Sequence, residues 1–384
     1  MVDTPISQRM KKREFIKRAG LLAGSAILPL PEISIANQLH QNQKPKVWVW
    51  ARPETGKTQD YWNRKLEYLK SNGVDAILME VYNSRKAFFE NDRIPVAEKL
   101  LEKLMVAGRK TGVEVHAWMW TMPCNIPEIV NNHPDWYAVN RKGESAATHP
   151  AYVDYYKFLC PCHPEAREFV RKNVEVLAQF EDLTGVHLDY VRLPDVILAK
   201  GLQPKYNLVQ DQEFPQFDYC YSDHCRNQFM ALTGIDPLKD LADPSAHQAW
   251  YQFRFNAITQ LVNTILLPEA SERNKMMTAA VFPNWKSVRQ EWRNWKLDAF
   301  LPMLYHNFYN EGIEWIKKET AEKVEQQVFN RPINSGLFVP SLKPSELEGA
   351  INAGLAGGAA GVSFFDLGSL TDQHFEVIRK IRRI

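Results

Sequence analysis

The residues best suited to do chemistry lie inside short apolar runs. In "GVHLDYVRLPD", residues 185–195, strand alternation puts His187, Asp189 and Val191 on one face and Leu188, Tyr190 and Arg192 on the other. A carboxylate in such a run is costly to bury unless something uses or pairs it. Asp189 is therefore either catalytic or neutralised by Arg192 or a neighbouring arginine. The run "LMEVYNSR", residues 78–85, carries a second carboxylate, Glu80, followed by Asn83 and Arg85. Burial would lift Glu80 toward the range of a general acid, unless a Lys or Arg binds it structurally. A third run, "SFFDLG", supplies Asp366, a further candidate carboxylate or the cap of the next turn. Glu291 reads as a solvated residue of a short helix.

Aromatic and polar residues gather at the ends of similar runs. Trp50, the alternating pair Trp118 and Trp120, Asn284 with Trp285, and Tyr305 with His306 all occupy such ends. Carboxylates ringed by Trp, Tyr, His and Asn suit a sugar: C–H faces stack, hydroxyls hydrogen-bond, and two acids handle the glycosidic oxygen. Asp189 is then nucleophile or base, Glu80 the favoured acid, and Asp366 a third carboxylate or the alternative acid. Asn83, Arg85, Trp118, Trp120, His187, Arg192, Asn284, Trp285, Tyr305 and His306 would hold the substrate. No cofactor and no metal are required. A non-catalytic glycan-binding barrel is the rival reading, and a metal-dependent hydrolase built on His116, His187 and Asp189 is a third.

The elements that must position these groups recur along the chain. Strand candidates begin at Lys46, Val74, Val113, Gly185, Lys275, Leu297, Ile333 and Gly361. Several are apolar on both faces, as a parallel strand between a barrel interior and a helical shell must be. Helical spacing separates them: Trp62, Leu66 and Leu69 before Gly73, then Leu100, Leu101, Leu104 and Met105 before Gly108 and Gly112. It recurs at Phe169, Val170, Val174 and Leu177, at Leu347, Ile351 and Leu355, and at Phe375, Ile378 and Ile381. The expected fold is α/β, a single (β/α)8 TIM-type barrel with long loops after strands three and four. An open doubly wound sheet is the alternative, but no Gly-rich phosphate loop follows any strand.

Bulk properties set limits. At 384 residues with 45% hydrophobic and 24% charged residues, the chain has ample core for one barrel. Residues 1–36 read as an export signal peptide: six basic residues around "KREFIK", a short apolar stretch from Ala19 to Leu30, and a small-x-small Ser34-Ile35-Ala36. "KREFIK" resembles a twin-arginine signal with Lys for the first Arg. Residues 37–384 would be the barrel, periplasmic or extracellular. That part carries 41 basic and 42 acidic residues, so nothing draws it to nucleic acid, and no other segment is apolar enough to hold a membrane. Five cysteines, 124, 160, 162, 220 and 225, allow a disulfide; with His163 and His224 they could also supply zinc ligands, although the spacing matches no standard paired C-x2-C pattern.

Together "GVHLDYVRLPD", "VHAWMWTMP", "HPDWYAVNRKGES", "CHPEAREFV" and "LDAFLPMLYH" resemble the glycoside-hydrolase-like family labelled family-10-like, over about residues 46 to 370. Its members include a cell-division-associated enzyme that cleaves peptide-free peptidoglycan strands. The resemblance implies a (β/α)8 barrel, glycosidase-type chemistry on a polysaccharide or oligosaccharide, and export to the envelope. It places Asp189 at the Asp of the family's strand-four "DY" motif. Other members carry a double Asp there, where this chain has Leu188, and often Gln on strand two, where this chain has Glu80.

Overall fold

Eight short runs rich in β-branched and aromatic residues become the eight strands of the computed structural model, which describes residues 44–382. They are β1 (Lys46–Ala51), β2 (Ala76–Tyr82), β3 (Glu114–Trp120), β4 (Gly185–Asp189), β5 (Met276–Val281), β6 (Ala299–Pro302), β7 (Asn334–Phe338) and β8 (Gly361–Phe365). Each starts within a residue or two of its expected position. All pair in parallel in the order β6-β5-β4-β3-β2-β1-β8-β7. Parallel bridges Phe300–Ile333 and Met303–Gly336 join the two outer strands, with the Leu304 amide donating to the Gly336 carbonyl at 2.9 Å. The sheet closes into a barrel, as expected, and the open sheet is excluded.

Helices cover the outside because their apolar stripes match the outward strand positions. Helix α1 (Gln59–Ser71) buries Trp62, Leu66 and Leu69 and is capped by Thr58, whose side chain accepts from the Tyr61 amide. Helix α2 (Leu100–Thr111) ends at Gly112, held at φ 71°, where glycine alone is unstrained. Inside α2, Gly108 lies hard against the sheet: an added Cβ would come within 2.7 Å of Val115 Cγ2 and 2.9 Å of the Val113 carbonyl. After α3 (Pro127–Asn132) come α4 (Pro164–Ala178), α5 (Asp223–Thr233) and α6 (Gln248–Gln260), which runs through a π turn into α7 (Leu267–Ser271). The shell is completed by α8 (Ile313–Glu325), α9 (Pro344–Ala356) and α10 (Asp372–Arg382).

Two-residue alternation divides the core into two layers. Val47, Val49, Ile77, Met79, Val115 and Ala117 face the helices, while Trp48, Trp50, Ala76, Leu78, Trp118, Ala280 and Leu301 fill the lumen. Each large buried apolar side chain contributes roughly 1.5–3 kcal/mol. The lumen also holds polar groups, several of them paired. Trp48 Nε1 donates to Asn334 Oδ1 at 3.1 Å, and Trp50 Nε1 to His187 Nε2 at 3.0 Å. An indole only donates, so His187 Nε2 accepts, and the ring proton sits on Nδ1, 2.8 Å from Thr278 Oγ1. Burial holds this imidazole well below the usual histidine range, so it stays neutral.

The long connections after β3 and β4 pack on each other above the barrel. Asn140 bridges to Tyr219, and the Arg141 amide donates to the carbonyls of Pro215 and Asp218. Beneath them, the fully buried Asp218 accepts from Arg254, from Arg289 Nη2 at 3.2 Å and from the Tyr221 hydroxyl at 2.6 Å. Burial alone would raise the Asp218 carboxyl, but the two guanidiniums outweigh it and hold it below its ordinary value. The segment read as a signal peptide, residues 1–36, lies outside the described residues. Among the described residues no helix is long and apolar enough to cross a membrane.

Candidate active site

The site is built on three adjacent strands. In the β2–β3 register Glu80 stands beside Trp118, and in the β3–β4 register Trp120 stands beside Asp189. The indole hydrogen bonds cross that register. Trp118 Nε1 donates to Asp189 Oδ2 at 3.0 Å, and Trp120 Nε1 donates to Glu80 Oε2 at 3.2 Å. Each acid is therefore held by the tryptophan that pairs with the other. Asp189 Oδ1 also accepts from the Tyr190 amide at 2.7 Å, and Tyr190 sits at φ 51°. A tyrosine in the left-handed region is uncommon and concentrates at functional sites. Here it ends the strand and turns the next amide back onto the carboxylate.

Both acids are more basic than free carboxylates. Burial pushes Glu80 up to about 7, with the Asp189 charge adding to it and Arg52 and the Trp120 indole pulling the other way. Burial likewise pushes Asp189 up to about 6, against the Tyr190 amide, the Arg192 charge and the Trp118 indole. The third carboxylate, Asp366, follows β8; it pairs with Arg52 Nε at 3.4 Å and accepts from Ser369 Oγ at 3.1 Å. Tyr305 is buried and feels the charges of both Asp189 and Asp366, and burial keeps its phenol protonated. Phe365 sits among Trp50, Trp118, Tyr305 and Phe338. Half-buried Trp120 packs at 4.6 Å on Tyr190 and at 5.7 Å on Tyr155, whose edge reaches solvent.

Several residues expected to hold a sugar have other work. His187 is a lumen residue with both nitrogens engaged, one barrel layer below Asp189, so it cannot orient a hydroxyl. Arg192 is 2% exposed and bonded to Asp195 Oδ2 at 3.0 Å, the Leu193 carbonyl at 2.9 Å and the Tyr156 hydroxyl at 3.2 Å. It braces the loop after β4 instead of reaching substrate, and its ion-pair partner is Asp195, not Asp189. Trp285 packs on Phe255 of α6 and between Lys286 and Arg293, apart from the groups around the acids. Asn284 is exposed and donates to Ser287 Oγ at 2.7 Å. Asn83 Oδ1 accepts from the Arg85 and Lys86 amides, and the Arg85 side chain points to solvent. His306, half-buried, opens the turn after β6 with Nδ1 unpartnered.

Other readings change too. Glu291 is buried, paired with Arg293 at 2.8 Å and bonded by Gln252 at 3.0 Å, because the turn after β5 folds back on α6. The metal-hydrolase set does not converge: His116 Nε2 bonds Glu114 at 3.1 Å and His187 has no free lone pair. Arg52, a residue that strand alternation did not single out, is the cation whose charge acts on Glu80 and which pairs with Asp366. Its signal was its place directly after β1, at the same rim.

The profile of the family described as "Glycosyl hydrolase-like 10" matches residues 48–338. "Glycosyl hydrolase YngK" of Bacillus subtilis (strain 168) is 25% identical over 230 residues, covering 52% of this chain and 42% of that protein. This chain thus spans less than half the length of that relative. The PgaB (BpsB) glycoside hydrolase domain from Bordetella bronchiseptica shares the fold with a TM-score of 0.66 at 14% identity, covering 88% of this chain and 99% of the domain. The catalytic domain of a β-amylase from Paenibacillus polymyxa gives 0.60 at 11% identity, covering 88% and 97%. With the family profile running through seven of the eight strands and both acids inside it, the chain belongs to the glycosyl hydrolase-like 10 family.

Proposed function

We propose that the chain is a glycoside hydrolase that cleaves a glycosidic bond in an extracytoplasmic polysaccharide by paired-carboxylate chemistry. One observation carries this reading: two buried, inward-facing acids on β2 and β4, each bonded by an indole of β3, with Glu80 the weaker acid. At pH between the two values Glu80 is the more protonated and Asp189 the more ionised of the pair, the division of labour that glycoside cleavage needs. Glu80 delivers its proton to the leaving glycosidic oxygen. Asp189 is the anionic partner, either attacking the anomeric carbon or taking the proton of an attacking water; the anomeric form of the first product distinguishes the two. Asp366, ion-paired to Arg52, positions that guanidinium and a sugar hydroxyl. Trp120, Tyr155 and Phe365 offer faces for sugar C–H groups. The basic and apolar character of residues 1–36 supports export, and the near-neutral remainder supports an uncharged polymer over nucleic acid.

The test incubates purified protein with a panel of polysaccharides, peptide-free peptidoglycan included, and measures released reducing ends. Asp189→Asn and Glu80→Gln are expected to lower turnover at least a hundredfold without lowering the melting temperature. A full rate in Asp189→Asn would remove that residue from the chemistry. Sugar binding without any product, in the unmodified protein, would instead support a binding barrel.

A further inference from the structure

Three of the five cysteines meet at one point outside the barrel, and a fourth stands beside them. Cys160 and Cys162 lie just before α4, at the end of the loop after β3. Cys220 and Cys225 bracket the start of α5, in the insertion after β4. All four side chains are buried. The sulfurs of Cys160, Cys162 and Cys225 lie within 4.8 Å of one another, with Cys160 and Cys225 3.6 Å apart; the buried Cys220 thiol stands beside this triad, outside the 4.8 Å group, where it influences the Cys160 and Cys225 thiols.

Two arrangements could explain buried sulfurs this close. A disulfide brings two sulfurs to about 2.05 Å and leaves other pairs apart. A tetrahedral ion with bonds of about 2.3 Å places every pair of sulfurs roughly 3.8 Å apart. The separation of Cys160 and Cys225 fits the second, and so does the convergence of a third sulfur, Cys162, on the same point, with Cys220 beside them to supply the fourth ligand. The surroundings also suit thiolates. Ser222 Oγ lies 3.0 Å from Cys160 Sγ and accepts from the Cys225 amide, so its own proton is free to be donated to a thiolate at Cys160. The Cys162 amide donates to Cys160 Sγ at 3.4 Å. Such donors commonly support ligands from the second shell around a metal.

We propose that Cys160, Cys162, Cys220 and Cys225 form a tetrahedral thiolate site for one zinc ion, which clips the loop after β3 to the insertion after β4. The ion lies apart from the acids and takes no part in bond cleavage. It fixes two connections that carry Tyr155, Tyr156 and Asp195 at the barrel mouth, and it does so whether or not the barrel is a glycosidase.

Elemental analysis of the full chain, purified without chelator, is expected to give about one zinc per chain. Denaturation should then expose all five cysteines as reactive thiols. Cys162→Ser and Cys220→Ser should each lower bound zinc at least tenfold, while Cys124→Ser, whose thiol lies elsewhere, should retain it. Where a serine variant fails to fold, the unmodified chain still answers: a mercurial thiol reagent should release about one equivalent of zinc to a colorimetric chelator. Absence of zinc with an intact mass short of one or two pairs of hydrogens would mean disulfides and overturn the proposal. Five free thiols with no zinc taken up from added zinc sulfate would overturn it as well.

Discussion

Replacing Glu80 by Gln isolates the cost of keeping an acid in the barrel mouth. Burial raises this carboxyl from 4.5 to about 7. At 1.36 kcal/mol for each pKa unit, that gap corresponds to about 3 kcal/mol. The folded chain binds the proton more tightly than the unfolded chain does. The contribution to stability is therefore full below about 4.5, falls as pH rises, and is wholly lost above about 7. Gln cannot ionise, yet its carbonyl can still accept from the Trp120 indole. Glu80→Gln should match the parent within about 1 kcal/mol at pH 4 and exceed it by roughly 1–3 kcal/mol at pH 8, the lower figure allowing for relief of the charge by Arg52. Urea denaturation of both proteins across that range measures the difference directly. Any constant penalty from the unpaired Gln amide lowers the variant's curve by the same amount at every pH and leaves the pH dependence of the difference intact. Parallel curves from pH 4 to 8 would show that Glu80 ionises as freely in the fold as outside it, and the acid assignment would lose its physical basis.

Other consequences are equally direct. On a cleaved substrate, kcat/KM should peak between about 6 and 7, falling below as Asp189 gains a proton and above as Glu80 loses one; a flat profile across that window contradicts the assignment. Trp118→Phe removes the indole donor from Asp189 Oδ2, so the acid limb of that profile should move upward by roughly half a pH unit or more, and an unmoved limb would mean the bond does not tune the acid. Gly108→Ala forces a methyl against Val115 and should cost about 1–3 kcal/mol in urea denaturation; a neutral result would mean α2 can move off the sheet. Asp218→Asn leaves Arg254 and Arg289 without their buried counter-ion and should cost about 3–5 kcal/mol, a loss that a stability change under 1 kcal/mol would contradict.

The architecture was legible because parallel strands covered on both faces read as unbroken apolar runs, punctuated by helix ends such as Gly112. The acids were legible for the complementary reason: Glu80 and Asp189 interrupt those runs. Depth was not. Alternation puts His187 and Asp189 on one face but does not say that two residues back along β4 is a full layer lower, where the side chain meets Trp50 instead of solvent. Alternation also fails once a strand ends. Tyr190 turns into the left-handed region, and Arg192 beyond it swings to Asp195. Asn284 and Trp285 follow β5 directly, but the turn there folds outward onto α6. The crossed indole bonds and the thiol cluster depend on register and loop packing between distant segments, which local spacing does not encode.

Strand β3 contributes no carboxylate to the site, yet it governs both of the site's acids. Trp118 and Trp120 are two residues apart on one rigid element, so each acid has its own separately replaceable setting while the acids stay in place. An engineer seeking a more alkaline or more acidic working range would leave positions 80 and 189 alone and vary 118 or 120. The same economy makes the strand vulnerable: a slip of β3 by one residue would turn both indoles outward and release the two carboxylates together.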